Sequence, residues 1–272
     1  MPAVDPQGCN ARLNFMKGKH CLALDFDGVI ADSILECLLT AENAYSAYHE
    51  IDDFHIDLSR FSKTEVADFR ASRIFIRRGE DYVFLRLAAD QNHLIGSQEA
   101  FDAFLEIHSS KRDTFRDLFY SMRERLQTTN PAAWLALSPI YPEIELFLKQ
   151  LKDPDALYIV TTKDLISVQL ILASKGIHLP PEHMFQATKT YRKPEILKNI
   201  LKLENLTPPE LHFIDDHPAT VLEVAENTEV TAYCAAWGYN TSTQLAALKT
   251  RSLQILNPKD FQEFARALGL VN

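Results

Sequence analysis

The stretch CLALDFDGVIADS, residues 21–33, ends an apolar run in two aspartates, Asp25 and Asp27, with Phe26 between them and Gly28 behind. A short apolar run closed by glycine reads as a buried strand over His20 to Phe26. Two further runs of this kind, ALYIV (156–160) and LHFI (211–214), alternate with helical patterns over 142–152, 164–176, 194–204 and 218–227. That alternation specifies an α/β fold with a parallel sheet, because parallel neighbours need crossover connections and helices supply them. A fourth strand is predicted at 229–235 and a weaker one at 184–187.

Residues 33–137 break this rhythm. They carry amphipathic helical patterns, notably at 33–50 and 98–126, and few β-branched runs. The expectation is an all-helical insert at 33–137 in a core built from 1–32 and 138–272. Its second junction, TTNPAAWLALSP, holds Pro131 and Pro139 and suits a linker. A chain of 272 residues is long enough for such a division and for a sizeable core.

The net charge of −9 argues against a general nucleic-acid partner and against an anionic membrane surface. No stretch reaches the apolar length of a membrane span, and the first twenty residues lack a secretory h-region. Cys9, Cys21, Cys37 and Cys234 are scattered with no CxxC pair and read as reduced thiols, three in apolar settings. A cytoplasmic protein is expected. No feature specifies an oligomeric state.

Ligands of open parallel sheets bind at the carboxyl ends of the strands. There the sequence places Asp25 and Asp27, then Thr161, Thr162 and Lys163, then Asp215 and Asp216, with Lys193 before a helix-starting Pro194. Three or four carboxylates repel one another unless a cation lies among them, and an all-oxygen set favours Mg²⁺. A metal with hydroxyls, an ammonium and helix N-terminal amides suits a phosphate group. One carboxylate of the first pair could act as nucleophile and the other as proton donor and acceptor. Each feature also has a structural reading: the Asp215-Asp216 pair could cap a helix, and Lys193 could be a solvated turn residue.

These segments resemble the haloacid dehalogenase superfamily in its phosphatase branch. DFDGVIADS resembles the family's first motif, YIVTT the second, RKPEIL the third and FIDDHPAT the fourth, in family order. WGYN, 237–240, resembles a segment that follows the fourth motif in phosphoglycolate phosphatase-like members. The resemblance implies a Rossmann-like core with a helical cap inserted between the first two motifs. It implies a Mg²⁺-dependent phosphatase acting on a small phosphorylated metabolite. By it, Asp25 is the nucleophile that becomes an aspartyl-phosphate, and Asp27 protonates the leaving group and then activates water. Thr161, Thr162 and Lys193 hold phosphoryl oxygens, with Lys189 a rival for Lys193. Asp25, the backbone carbonyl of Asp27, Asp216 and in some measure Asp215 hold the metal. The family often has GDxxxD at the fourth motif; here Asp215 replaces the Gly and Thr220 the last Asp, so the ligand set stays open.

Within the insert, FRASRIFIRRGEDYVFLR concentrates Arg70, Arg73, Arg77, Arg78 and Arg86. Arg77 and Arg78, before a Gly79 that could form a loop tip, are candidate readers of a substrate anion. The competing reading is a salt-bridged surface with Glu65, Asp68, Glu80 and Asp81. Three other functions compete: a phosphomutase using the same residues, a phosphonate hydrolase with Lys63 as its cap lysine, and a receiver-type signalling domain. The last would place its acidic pair first in the chain and would need no insert.

Overall fold

The computed structural model describes residues 19–272. Cys9 lies outside the described residues. Six parallel strands, β1 (Cys21–Leu24), β2 (Leu157–Thr161), β3 (Met184–Gln186), β4 (Leu211–Asp215), β5 (Thr231–Ala235) and β6 (Gln254–Leu256), form one sheet in the order β3-β2-β1-β4-β5-β6. β1 sits in the middle with all four of its residues buried. Its neighbours are β2 on one side and β4 on the other, registered Leu24↔Ile159 and Leu24↔Ile214. The chain leaves β1 in one direction and returns on both sides, so the crevice at the ends of β2, β1 and β4 is the sheet's switch point.

The insert holds α1 (Ile34–Tyr48), α2 (Lys63–Ser72), α3 (Gly79–Asp90), α4 (Gln98–Ile107), α5 (Arg112–Thr129) and α6 (Pro131–Ala136). The core holds α7 (Pro142–Gln150), α8 (Leu165–Ser174), α9 (Lys193–Leu203), α10 (Pro218–Asn227), α11 (Ser242–Thr250) and α12 (Phe261–Ala267). The described chain is thus the α/β, Rossmann-like sheet with a helical insert that the sequence specifies. Among the described residues no helix is long and apolar enough to cross a membrane.

Local chemistry sets the helix ends that matter. Asp164 caps α8, its side chain accepting from the Ser167 amide at 2.8 Å. α9 and α10 both have proline in the first turn, where its missing N–H costs nothing. Ser62 and Glu65 close a reciprocal capping box on α2.

The apolar residues form two clusters. One surrounds the sheet; the other joins α1, α3, α4 and α5 through residues such as Phe84, Phe101, Phe115 and Phe119. The single helical pattern at 98–126 is two helices, broken by a 3₁₀ turn at Ser109–Lys111. Serines compete for backbone hydrogen bonds and weaken helix interiors there, and residues of both α4 and α5 join the same apolar cluster.

The segment read as a linker is also different. Asn130 caps α6 by accepting from the Ala133 amide, with Pro131 in the first turn. Trp134 is buried with the sheet-side cluster, as is Leu126. The two chain crossings between insert and core run together: Asp32 N–H donates to Pro139 O and Tyr141 N–H to Ile30 O, both at 2.9 Å. β6 is a strand that the sequence pattern does not specify, since three residues show no periodicity; its pairing with β5 makes it one.

Candidate active site

Asp25 follows β1 directly, its backbone N–H donating to Ile214 O at 2.9 Å, so the sheet ladder places it. The chain then turns sharply. Gly28, Ile30 and Ala31 bond back within residues 26–31, and Gly28 takes φ +86°. A Cβ at Gly28 would lie 2.2 Å from Asp216 Oδ2, and one at Gly238 would lie 2.2 Å from Asp216 Cβ. Two glycines thus admit the Asp216 carboxylate between two backbone segments. Gly28→Ala is expected to cost at least about 1–2 kcal/mol from the left-handed backbone alone, with the clash added. Thermal denaturation should show a fall of several degrees, and an unchanged midpoint would mean that this turn adapts.

Asp25, Asp215 and Asp216 each bring a carboxylate oxygen within 4.8 Å of the others, and all three are buried. Lys193, from the first turn of α9, lies 3.1 Å from Asp25 Oδ2 and 2.7 Å from Asp215 Oδ2. Asp215 Oδ1 accepts from the His217 amide at 2.8 Å, and Asp216 Oδ2 accepts from the Tyr239 amide at 2.6 Å. The Thr161 hydroxyl bonds to Asp25 and also accepts from the Lys163 amide.

Burial raises the Asp25 carboxyl against the opposing pull of Lys193, and Asp215 raises it further. Burial likewise pushes Asp216 up to about 7, with Arg73 opposing and Asp215 and Asp25 adding to it. Burial disfavours the charged Lys193, but Asp215 and Asp25 outweigh it and raise its pKa. Burial, Arg73 and Lys193 hold His217 down at about 4, so its imidazole is neutral near pH 7.

This chemistry fits a hard divalent cation. The donors are all carboxylate oxygens, they converge, and the mutual repulsion that helps raise Asp25 and Asp216 is what a bound cation would relieve. Deprotonation of Asp216 above pH 7 would strengthen the fit.

A cavity of about 510 Å³ opens above this cluster, between sheet and insert. Asp25, Lys193, Asp215, Asp216 and the exposed Thr162 line it on the sheet side; Arg77 and Arg78 line it on the insert side. Lys189 is an exposed residue of its wall, and among the described residues it is Lys193 that pairs with Asp25. Lys63 is exposed on α2 and is absent from the lining, so no lysine of α2 reaches the cavity.

Asp27 faces a smaller space of about 30 Å³, which shares Thr162, Arg73 and Arg78 with the larger cavity. Its Oδ1 accepts from Ser33 Oγ at 2.6 Å and lies 3.3 Å from Lys163 Nζ. Behind it is a buried ionic network. Lys163 Nζ is 3.4 Å from Glu36 Oε2; Arg123 binds Glu36 through two N–H groups at 2.8 and 2.9 Å and reaches Asp164 at 2.9 Å. Thr40 and Trp134 also donate to Glu36 Oε1. Asp27, Lys163 and Asp164 belong to the sheet ends; Glu36 and Arg123 belong to α1 and α5.

Sequence reasoning gave Lys163 no role and missed Glu36, Arg123 and Tyr239. A glutamate and an arginine inside amphipathic helices look like solvated residues until packing is known. Tyr239 had one signal, the quoted WGYN segment. Its amide holds Asp216 and its hydroxyl donates to Asp32 at 2.8 Å.

The arginine cluster has other ion-pair partners than the salt-bridged reading expects, while Arg77 and Arg78 line the cavity. Arg70 pairs with Asp32, Arg86 with Glu42, and Arg77 makes a two-pronged pair with Asp102, at 2.8 and 3.1 Å. None of Glu65, Asp68, Glu80 or Asp81 is the partner of these three. Gly79 starts α3 instead of forming a loop tip, and it lets α3 approach the Phe119 ring, which a Cβ would meet at 2.7 Å.

A family model described as haloacid dehalogenase-like hydrolase matches residues 19–227. A solved structure proposed to be a phosphoglycolate phosphatase, from Lactobacillus delbrueckii subsp. bulgaricus, superposes with TM-score 0.63 at 15% identity, covering 90% of this chain and 97% of that one. A HAD family hydrolase from Deinococcus radiodurans R1 with bound phosphate and sodium gives TM-score 0.54 at 17% identity, covering 93% and 97%. At these identities the likeness is one of fold. No curated protein sequence matches the chain.

Proposed function

The chain belongs to the haloacid dehalogenase-like hydrolases, and from that premise we propose that it is a Mg²⁺-dependent phosphatase hydrolysing a small phosphorylated metabolite through an aspartyl-phosphate. The observation that carries the reading is the Asp25 carboxylate at the floor of the cavity, 3.1 Å from Lys193 and grouped with Asp215 and Asp216.

In this reading an Asp25 oxygen attacks phosphorus and the bond from phosphorus to the leaving oxygen breaks. Asp27 gives that oxygen its proton. Asp27 then takes a proton from water, whose oxygen attacks the aspartyl-phosphate, releasing inorganic phosphate and the Asp25 carboxylate. Thr161, Thr162 and Lys193 hold the phosphoryl oxygens, Lys193 offering an ammonium already fixed by two carboxylates. Asp25, Asp216 and the Asp27 carbonyl, with Asp215 beside them, would hold Mg²⁺, which when bound would offset negative charge on the phosphoryl group. The division into a core of 1–32 and 138–272 and a cap of 33–137 belongs to the same proposal, the cap excluding water from the covalent intermediate.

The deciding test is inorganic phosphate release from a panel of phosphorylated metabolites, with Mg²⁺ and after exhaustive chelation. Turnover that survives chelation would overturn the metal requirement. An isomeric sugar phosphate formed without free phosphate would point to a mutase.

Metal binding should also be visible in stability. A folded Asp216 pKa of about 7, against 3.8 for the free group, means the metal-free fold holds a proton there that the unfolded chain gives up. That contribution is fully present below 3.8 and is lost as pH rises through about 7. Mg²⁺ needs the deprotonated carboxylate, so the rise in melting temperature on adding Mg²⁺ should grow from about pH 5.5 to about pH 8. A rise independent of pH, measured by scanning calorimetry, would remove Asp216 from the ligand set.

A further inference from the structure

We propose that the cavity contains a second anion subsite, formed by Arg73 and Arg78, and that the substrate is a phosphate monoester whose leaving group carries a second anionic group, a carboxylate or another phosphate. The inference deepens the phosphatase reading and rests on it for turnover, whereas binding of the second anion depends on the charge and burial of the two arginines alone.

Most cations around the cavity are already matched. Arg77 has Asp102, Arg116 has Asp113 and Asp117, Arg192 has Glu223, and Lys193 has Asp25 and Asp215. Arg112 lies 3.7 Å from both Glu80 and Asp81. Among the described residues, Arg73 and Arg78 have no carboxylate within ion-pair distance, in a chain whose net charge is −9. Both line the large cavity and the small one beside Asp27, and therefore face the reacting carboxylates from the insert.

Arg73 is the decisive residue. It is only 9% exposed, and its Nε is a buried donor with no hydrogen-bond partner. One N–H donates to Ile76 O at 3.2 Å, and the guanidinium lies 4.6 Å from the Tyr239 ring centroid and 5.8 Å from that of Tyr82. The two rings hold the cation, and the Asp216 and Asp27 carboxylates act on it only from beyond ion-pair distance. A buried guanidinium with an unused donor is costly to keep unless an anion completes it. The 510 Å³ cavity leaves room for one beyond the volume of a phosphoryl group. Arg78 is half-buried at the N-cap of α3, its backbone N–H donating to Asp81 Oδ2 at 3.0 Å while its side chain lines the cavity. Arginine suits this task because its planar fork matches two oxygens of a carboxylate or phosphate.

The test uses binding, so that it does not depend on turnover. Calorimetry on the full chain with Mg²⁺ would compare propylphosphonate, which has one anionic group, with 3-phosphonopropionate and with propane-1,3-bisphosphonate. At least one doubly anionic probe is expected to bind roughly 10- to 150-fold tighter than propylphosphonate, the range for a charge-assisted contact; the tighter of the two identifies the second group. Arg78→Ala should reduce that advantage to within about 3-fold, and Arg73→Lys, which keeps a charge but loses the fork, should reduce it several-fold. Equal affinities for all three probes, or an advantage unchanged in Arg78→Ala, would overturn the subsite. If the subsite holds but no phosphate is released from the matching phosphate esters, the phosphatase reading fails and the subsite stands.

Discussion

Asparagine at position 25 is expected to abolish turnover and covalent labelling together, while asparagine at 27 should leave a protein that becomes phosphorylated and stalls. The asymmetry follows from position. Asp25 lies on the cavity floor against Lys193, whereas Asp27 lies beside it, bonded to Ser33 and Lys163. An amide at 25 has no anionic oxygen to attack phosphorus. An amide at 27 keeps its backbone carbonyl but cannot give or take a proton, a loss of about 10²- to 10⁴-fold for a general acid–base group. With an aryl phosphate the departing oxygen needs little help from an acid, so the first step proceeds and the second, which needs a base, does not. Intact-mass spectrometry after mixing with p-nitrophenyl phosphate should show an added phosphoryl group on Asp27→Asn alone. The same mass shift on Asp25→Asn would assign the nucleophile elsewhere.

The second large effect is expected far from phosphorus. Arg123→Met should remove the principal partner of Glu36, which is 0% exposed. Breaking a buried pair from one side costs about 3–5 kcal/mol, and the remaining contacts of Glu36 with Lys163, Thr40 and Trp134 place the expected loss near the lower end. For a chain of this size that is a fall in melting temperature on the order of 10 °C. Burial pushes the Glu36 carboxyl up, but Arg123 and Lys163 outweigh it and hold it well below its usual 4.5. In the wild type this contribution is present above 4.5 and is lost as pH falls through the folded pKa. In Arg123→Met burial gains weight, and protonation relieves the stranded charge. The gap between the two melting temperatures should therefore narrow as pH falls from about 8 to about 4. A gap that stays constant would trace the loss to packing, since the guanidinium also lies 4.6 Å from the Phe119 ring centroid.

The two effects concern neighbouring groups, the Asp25 cluster and the Glu36–Arg123 network that Lys163 ties to Asp27, and only the first could be read from the chain. Asp25, Asp27, Thr161, Asp215 and Asp216 could be located because a parallel sheet has a directional logic. Each strand is a short apolar run, and whatever polar residue follows it emerges at the same edge. β1, β2 and β4 are neighbours, so three separate sequence positions become one site. Lys193 could be singled out because a proline after it sets a helix start, and it does lie in the first turn of α9.

The insert obeys no comparable rule. Its helices were legible from amphipathic spacing, but spacing says which face is apolar and nothing about what a polar residue on that face will meet. Glu36 and Arg123 are 87 residues apart, and they share a buried pair only because α1 and α5 pack side by side. The same limit explains the arginine cluster. Its density was visible in the sequence, but its division into paired and unpaired cations depended on Asp32, Glu42 and Asp102, which come from other elements. Sequence order and periodicity thus determined the sheet, its reactive edge and the presence of a helical insert, since these follow from local pattern and chain direction. Only the tertiary structure decided which charges are neutralised and which face the cavity, because electrostatic partnership depends on distances of a few ångströms between segments that the chain itself leaves far apart.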